Sequence, residues 1–157
     1  DGRRQCQGKL ADCSDVIDGV VFLNEGNEEQ KKFWLPKLAS GEVFGAFCLT
    51  EPGSGSDAYS IKTKAVKNND GTYTINGQKL WITNAGLAGF YSVFAKTDHT
   101  ENGETKEKIT CFIVEKEREG VSFGEKEDKM GIRAYNINLQ LQDQNRLFYK
   151  LHFVLLQ

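Results

Sequence analysis

Residues 47–71 read "FCLTEPGSGSDAYSIKTKAVKNNDG", and the residues after the glycine-rich turn in this stretch separate one fold class from another. Gly53, Gly55 and Ala58 spell G-x-G-x-x-A, which marks a dinucleotide site if the turn opens a helix whose N-terminus meets a pyrophosphate. The sequence predicts no such helix. "YSIKTKAV" alternates and then breaks at "KNNDG", a hairpin turn, and no βαβ unit surrounds the motif. No G-K-[ST] comes after it, so a Walker loop fails as well. The turn joins strands.

On both sides of this turn the runs are strand-like. "VFGAFCLT" (43–50) is an apolar run of strand length, and "IKTKAV" (61–66) and "TYTI" (72–75) flank the hairpin turn. "TYTI" and "KLWIT" (79–83) flank "NGQ", read as an Asn-Gly hairpin. "FYSVFAKT" (90–97), "KITCFIVE" (108–115) and "GVSF" (120–123) add three strands, with "DHTENGETKEK" an exposed polar loop. About seven strands with loops too short for crossover helices predict a mainly β fold, an antiparallel β-sandwich or barrel over residues 43–133. Before it, "NEEQKKFWLPKL" (27–38) predicts a short helix. Asn27 and Gln30 form its capping box, Pro36 bends or shortens its last turn, and Gly41 stops it. The tail, residues 134–157, is apolar between Leu147 and Leu156, too short to span a bilayer, and is left unassigned.

Composition narrows the function classes. Twenty basic against 22 acidic residues leave a net charge of -2 and no basic stripe, which argues against nucleic acid. Cys6, Cys13, Cys48 and Cys111 match neither a zinc knuckle nor a CxxC pair, and Cys48 and Cys111 fall in apolar runs as buried thiols. His99 and His152 are the only histidines, so a His-rich metal site is not expected. No signal-peptide core opens the chain, which suggests an intracellular setting.

Alternation in "KLWIT" places Leu80 and Ile82 on one face and Trp81 with Thr83 on the other. An aromatic slab beside a hydroxyl suits a planar heteroaromatic ring, and Thr50 ends its own run just before the glycines. Trp81 also suits ordinary packing in a sandwich. From the pattern alone, ordinary packing is the stronger reading of Trp81.

"FCLTEPGSGSDA", then "NGQKLWITNAG", then "KMGIRA" resemble the acyl-CoA dehydrogenase family, and the helix "GNEEQKKFWLPKLASGE" is similar to the segment before that family's middle β-domain. The resemblance runs from Gly26 to Ala134. It implies that residues 1–42 are a remnant of an N-terminal helical domain, that 43–133 are the β-domain, and that a C-terminal helical bundle is absent. Residues 1 to about 22, and those after Ala134, depart from the family's pattern, which suggests an incomplete or frame-shifted reading of a longer gene. "KITCFIVEKEREGVSFGEKEDKMGIRA" looks closest to long- and very-long-chain members.

The resemblance further implies FAD as cofactor, lined by Phe47, Cys48, Leu49, Thr50, Ser56, Trp81, Ile82 and Thr83. Thr50 would offer its hydroxyl to the flavin edge, Trp81 would pack on the ring, and Ser56 would also contact the acyl-CoA substrate. The implied reaction is α,β-dehydrogenation of an acyl-CoA thioester, with the catalytic glutamate outside this chain. Glu51 and Asp57 are expected to stabilise turns instead. An electron-transferring flavoprotein as acceptor and a homo-oligomer complete the implied picture, in the mitochondrial matrix or a bacterial or archaeal cytoplasm. An acyl-CoA oxidase and a non-catalytic β-sandwich binding module are the rivals.

Overall fold

A computed structural model describes residues 13–124, 137–141 and 149–154. Two helices, α1 (Cys13–Glu25) and α2 (Glu28–Ser40), precede eight strands: β1 (Gly45–Cys48), β2 (Lys64–Lys67), β3 (Tyr73–Ile82), β4 (Phe90–Glu101), β5 (Glu104–Glu115), β6 (Val121–Phe123), β7 (Ile137–Leu141) and β8 (Tyr149–Val154). The strands make one sheet ordered β6-β7-β3-β2-β4-β5-β8, with β1 also on β4, curled into a half-barrel. The mainly β expectation holds.

Strands β4 and β5 form the spine, paired in register from Phe90↔Glu115 to Glu101↔Glu104. Their apolar runs are continuous because both faces are covered. Phe90, Phe94, Ile109, Cys111 and Ile113 point to the helices and pack with Phe22 and Trp34. Tyr91, Val93, Ala95, Phe112 and Val114 point into the curl. Aromatic contacts fasten the helices, with Trp34 at 4.7 Å and Phe22 at 5.4 Å from the Phe90 ring. Burying such rings stabilises by about 1.5–3 kcal/mol each.

Two pairings are parallel, not antiparallel: β1 on β4, and β2 on β4 at Lys64↔Lys96. Strands β1 and β2 run the same way along one edge of β4, end to end. The glycine-rich segment 49–63 is the loop that swings out between them, which is how the sheet creates a place for a site.

Several expectations need correction. Asn76 and Gly77 form no hairpin, because β3 runs straight through them. Gly77 is required by close approach: a Cβ there would collide with the Thr63 side chain. Conversely, the predicted loop at 98–108 is mostly strand. Asn102 (φ 53°) and Gly103 (φ 83°) make a two-residue turn between β4 and β5, both left-handed as an Asn-Gly hairpin demands. The hairpin at "KNNDG" is present, joining β2 to β3 with Asn68 N–H donating to Thr72 O at 2.8 Å.

Helix α2 keeps the predicted capping box, Gln30 N–H donating to Asn27 Oδ1 at 2.8 Å, and stops at Gly41 (φ 69°). Pro36 does not shorten it. Packing of Trp34 and Leu38 on the sheet side carries the helix on to Ser40. Helix α1 has no clear sequence signal, because Gly19, Val20 and Val21 are poor helix formers, yet a fully buried Phe22 anchors it. The tail, unassigned from sequence, contributes two strands to the sheet where it is described. Residues 137–141 lie between β3 and β6, and β8 pairs with β5. Residues 1–12, including Cys6, and the motif "KMGIRA" lie outside the described residues.

Candidate functional site

Seven of the eight site residues predicted from sequence come from two places, the end of β1 and the end of β3, and Ser56 comes from the glycine-rich loop. One backbone bond joins the two strand ends: Leu80 N–H donates to Thr50 O at 2.9 Å. The segment after Thr50 is a tight turn, with Glu51 and Ser54 exchanging both backbone bonds at 3.0 and 3.1 Å. Ser54 Oγ then donates to Asp57 O at 2.6 Å, and Asp57 Oδ1 accepts from Tyr59 N–H. The helix after the glycines is a single 3-10 turn, Ala58–Ser60, so the pyrophosphate geometry is absent. A Cβ at Gly53 or Gly55 would meet nothing within 4 Å, leaving the outer side of the turn open.

Trp81 is one of two non-glycine residues here with left-handed backbone, the other being Asn84. Along β3, period 2 turns Tyr73, Ile75 and Lys79 inward, and would send Trp81 inward after them. The register against β7 slips between Lys79 and Ile82, a β-bulge. Trp81 takes φ 56°, stands 61% exposed, and Ile82 takes the interior place at 1%. The expected pairing of Leu80 with Ile82 against Trp81 with Thr83 therefore fails at the bulge. Trp81 as sandwich packing fails with it.

The other predicted residues divide by accessibility. Phe47 and Leu49 are half-buried against the helix-side core, Phe47 at 4.8 Å from the Phe94 ring. Thr50 and Thr83 are half-buried, and Ser56 is exposed. Cys48 is fully buried, its thiol on Ala46 O, and burial pushes its pKa well up. Cys48 and Ile82 could therefore meet a ligand only through backbone groups. Cys111 is likewise a free buried thiol. Among the described residues no cluster of three His, Cys, Asp or Glu could hold a metal, and no helix is long and apolar enough to cross a membrane.

Beneath the two edges lies an ion pair that the sequence motifs do not announce. Lys79, with no exposed side-chain surface, donates to Glu51 Oε1 at 2.7 Å and to Leu49 O at 3.1 Å. The same carboxylate accepts from Lys62 N–H at 2.5 Å and from Thr63 N–H at 3.0 Å. Thr63 Oγ1 donates to it too, at 2.5 Å. Burial alone would raise the Glu51 pKa, but donation from Lys79, Thr63 and the Lys62 amide holds it below the ordinary 4.5. Burial lowers Lys79 from 10.5, and the pair with Glu51 offsets part of that. Glu51 and Asp57 thus stabilise turns, as expected. Period 2 from Ile75 through Gly77 was the available signal that Lys79 points inward.

Asn84 also escapes a reading of the sequence. It has φ 63° and 2% exposure, its carbonyl accepts from Leu87 and Ala88 N–H at 2.8 Å, and its Nδ2 is buried without a partner. Tyr91 Oη donates to Ala85 O at 2.7 Å and Lys116 Nζ to Gly86 O at 2.8 Å, fixing the turn after Thr83.

The sequence and the fold are similar to those of known proteins. A family model described as "Acyl-CoA dehydrogenase, middle domain" matches residues 46–143. The very long-chain specific acyl-CoA dehydrogenase, mitochondrial, of Macaca fascicularis is 58% identical over 121 residues, 75% of this chain. A probable acyl-CoA dehydrogenase of Bacillus subtilis is 51% identical over 126 residues, 80% of this chain. The crystal structure of an acyl-CoA dehydrogenase complexed with FAD from Bacillus anthracis superposes with a TM-score of 0.74 at 43% identity, covering 87% of this chain. The chain spans 18% and 20% of the length of those two relatives and 23% of that solved chain.

Proposed function

The chain belongs to the acyl-CoA dehydrogenase family, and from that premise we propose that it carries one wall of an FAD site in an enzyme that dehydrogenates acyl-CoA thioesters. The observation that carries the proposal is the joining of Thr50 to the bulge, with Trp81 turned outward beside it at φ 56°. A bulky residue in the left-handed region is costly, about 1–3 kcal/mol, and such outliers cluster at ligand sites. The donor set fits the cofactor: a flat aromatic face, two threonine hydroxyls, backbone amides around an open glycine turn, and the orphan Asn84 amide.

In this reading Trp81 packs on the isoalloxazine ring, and Thr50 and Thr83 donate to its polar edge. Phe47 and Leu49 close the apolar side, Cys48 and Ile82 contribute backbone groups, and Ser56 reaches both the cofactor and the acyl-CoA. When bound, the flavin supplies a two-electron acceptor for the β-hydrogen of the thioester while a carboxylate takes the α-proton. Glu51 and Asp57 are spoken for by their turns, and the base, as the family resemblance implies, is a glutamate outside this chain. The acyl group is long-chain, an electron-transferring flavoprotein takes the electrons, and the whole enzyme is a homo-oligomer in a mitochondrial matrix or a prokaryotic cytoplasm.

FAD uptake by the chain tests the proposal, with Trp81→Ala and Thr50→Val beside it. Both variants are expected to bind FAD less tightly while keeping the parental β-sheet circular dichroism. Unaltered affinity in both would contradict the assignment.

A further inference from the structure

Resting on the flavin reading above, we infer that Lys79 is a positioning residue, which holds the Thr50 segment in place against the Trp81 bulge. The geometry is specific. Lys79 sits two residues before Trp81 on β3, and its ammonium reaches across to the loop after β1. There it grips the segment on both sides of Thr50, at Leu49 O (3.1 Å) and at the Glu51 carboxylate (2.7 Å). Glu51 in turn is tied to the backbone amides of Lys62 and Thr63, where the loop returns to the sheet.

Such a pair suits positioning better than simple stabilisation. A buried ion pair is a poor sign of net stability, since well-packed apolar groups of similar volume commonly do as well or better. What an ion pair adds is direction. Without Lys79, the Leu80 N–H bond to Thr50 O would still join the loop to the end of β3, but the grip on both sides of Thr50 would be gone. Ligand groups act through placement at the level of an ångström or less, so a loose Thr50 edge would weaken cofactor binding even in a folded sheet. Burial raises the Cys48 and Cys111 thiols well above their ordinary pKa, so both stay neutral.

The experiment uses the whole chain and the double variant Lys79→Met/Glu51→Gln, which removes both charges together and so avoids stranding a buried carboxylate. Two quantities are read: residue-resolved amide exchange, and FAD affinity from quenching of tryptophan emission. The expected result is local. Exchange at Leu80 and Ser54 rises about tenfold while Ser92 and Ile113 in the β4–β5 ladder stay at parental rates. FAD affinity falls about tenfold as well, the scale of losing one well-placed hydrogen bond. Parent-like affinity, or faster exchange throughout the β4–β5 ladder, would make the pair a strut for the sheet and overturn the inference. Failure of the unsubstituted chain to take up FAD would overturn the flavin reading instead, and is seen before any substitution is made.

Discussion

Trp81 is the single residue on which most turns. A buried tryptophan truncated to alanine costs about 3–5 kcal/mol. At 61% exposure, Trp81→Ala is expected to cost far less than that, checked by urea unfolding. Trp81→Gly goes further, because glycine accepts φ 56° without the Cβ penalty of about 1–2 kcal/mol. Its stability should stay within about 1 kcal/mol of the parent while FAD affinity drops; a loss above about 3 kcal/mol would return Trp81 to the core. Thr50→Val is nearly isosteric and removes one hydroxyl, so it should weaken FAD binding by about 0.5–1.5 kcal/mol and leave the melting temperature in place. The motifs pair Trp81 with Thr50 through the family resemblance, and the Leu80 N–H bond to Thr50 O sets their two segments side by side. How Trp81 gets outside was not legible, because a bulge is a property of the pairing with β7 and leaves no mark on period 2.

Among the elements, two Asn-Gly pairs make the contrast. Asn76-Gly77 and Asn102-Gly103 look alike in sequence, and only the second is a turn. The first sits where Thr63 crosses β3, so its glycine is needed for space; the second needs left-handed φ at both residues. Gly77→Ala is therefore expected to destabilise by overpacking, about 1–3 kcal/mol, and Thr63→Ala in the same chain should recover part of it. If Gly77→Ala were neutral by chemical denaturation, the close approach would be wrong. Local propensity cannot separate the two cases, since the difference lies in a contact 14 residues away along the chain, between Thr63 and Gly77. The apolar runs of β4 and β5 were readable for the opposite reason: burial on both faces writes itself directly into the sequence.

For the molecule as a whole, the buried pair makes stability depend on pH. Glu51 titrates below its ordinary 4.5 in the fold, so its contribution is in place above that value and is lost as the pH falls through the lowered one. Lys79, lowered from 10.5 by burial, acts in the reverse sense: it costs stability at neutral pH, and the cost shrinks as the pH rises toward 10.5. Lys79→Met/Glu51→Gln should flatten both limbs of a melting-temperature profile, and an unchanged profile would mean that other groups set it. The family was readable from motifs in the right order, and the sheet supplies their reason, since β1 and β2 lie end to end on β4 and release the glycine-rich loop toward the bulge. The tail was not readable, because a strand such as β7 is defined by the partners β3 and β6 on either side. Titration of the chain with FAD, with quenching of tryptophan emission as the signal, decides whether this loop and this bulge form a single flavin-binding face. Trp34 is buried, so Trp81 is the accessible reporter. A one-walled site predicts saturable quenching with a dissociation constant from roughly ten micromolar to several hundred, raised about two- to tenfold by Thr50→Val. Quenching that rises linearly to about 1 mM without saturation, or a constant that Thr50→Val leaves untouched, would contradict it.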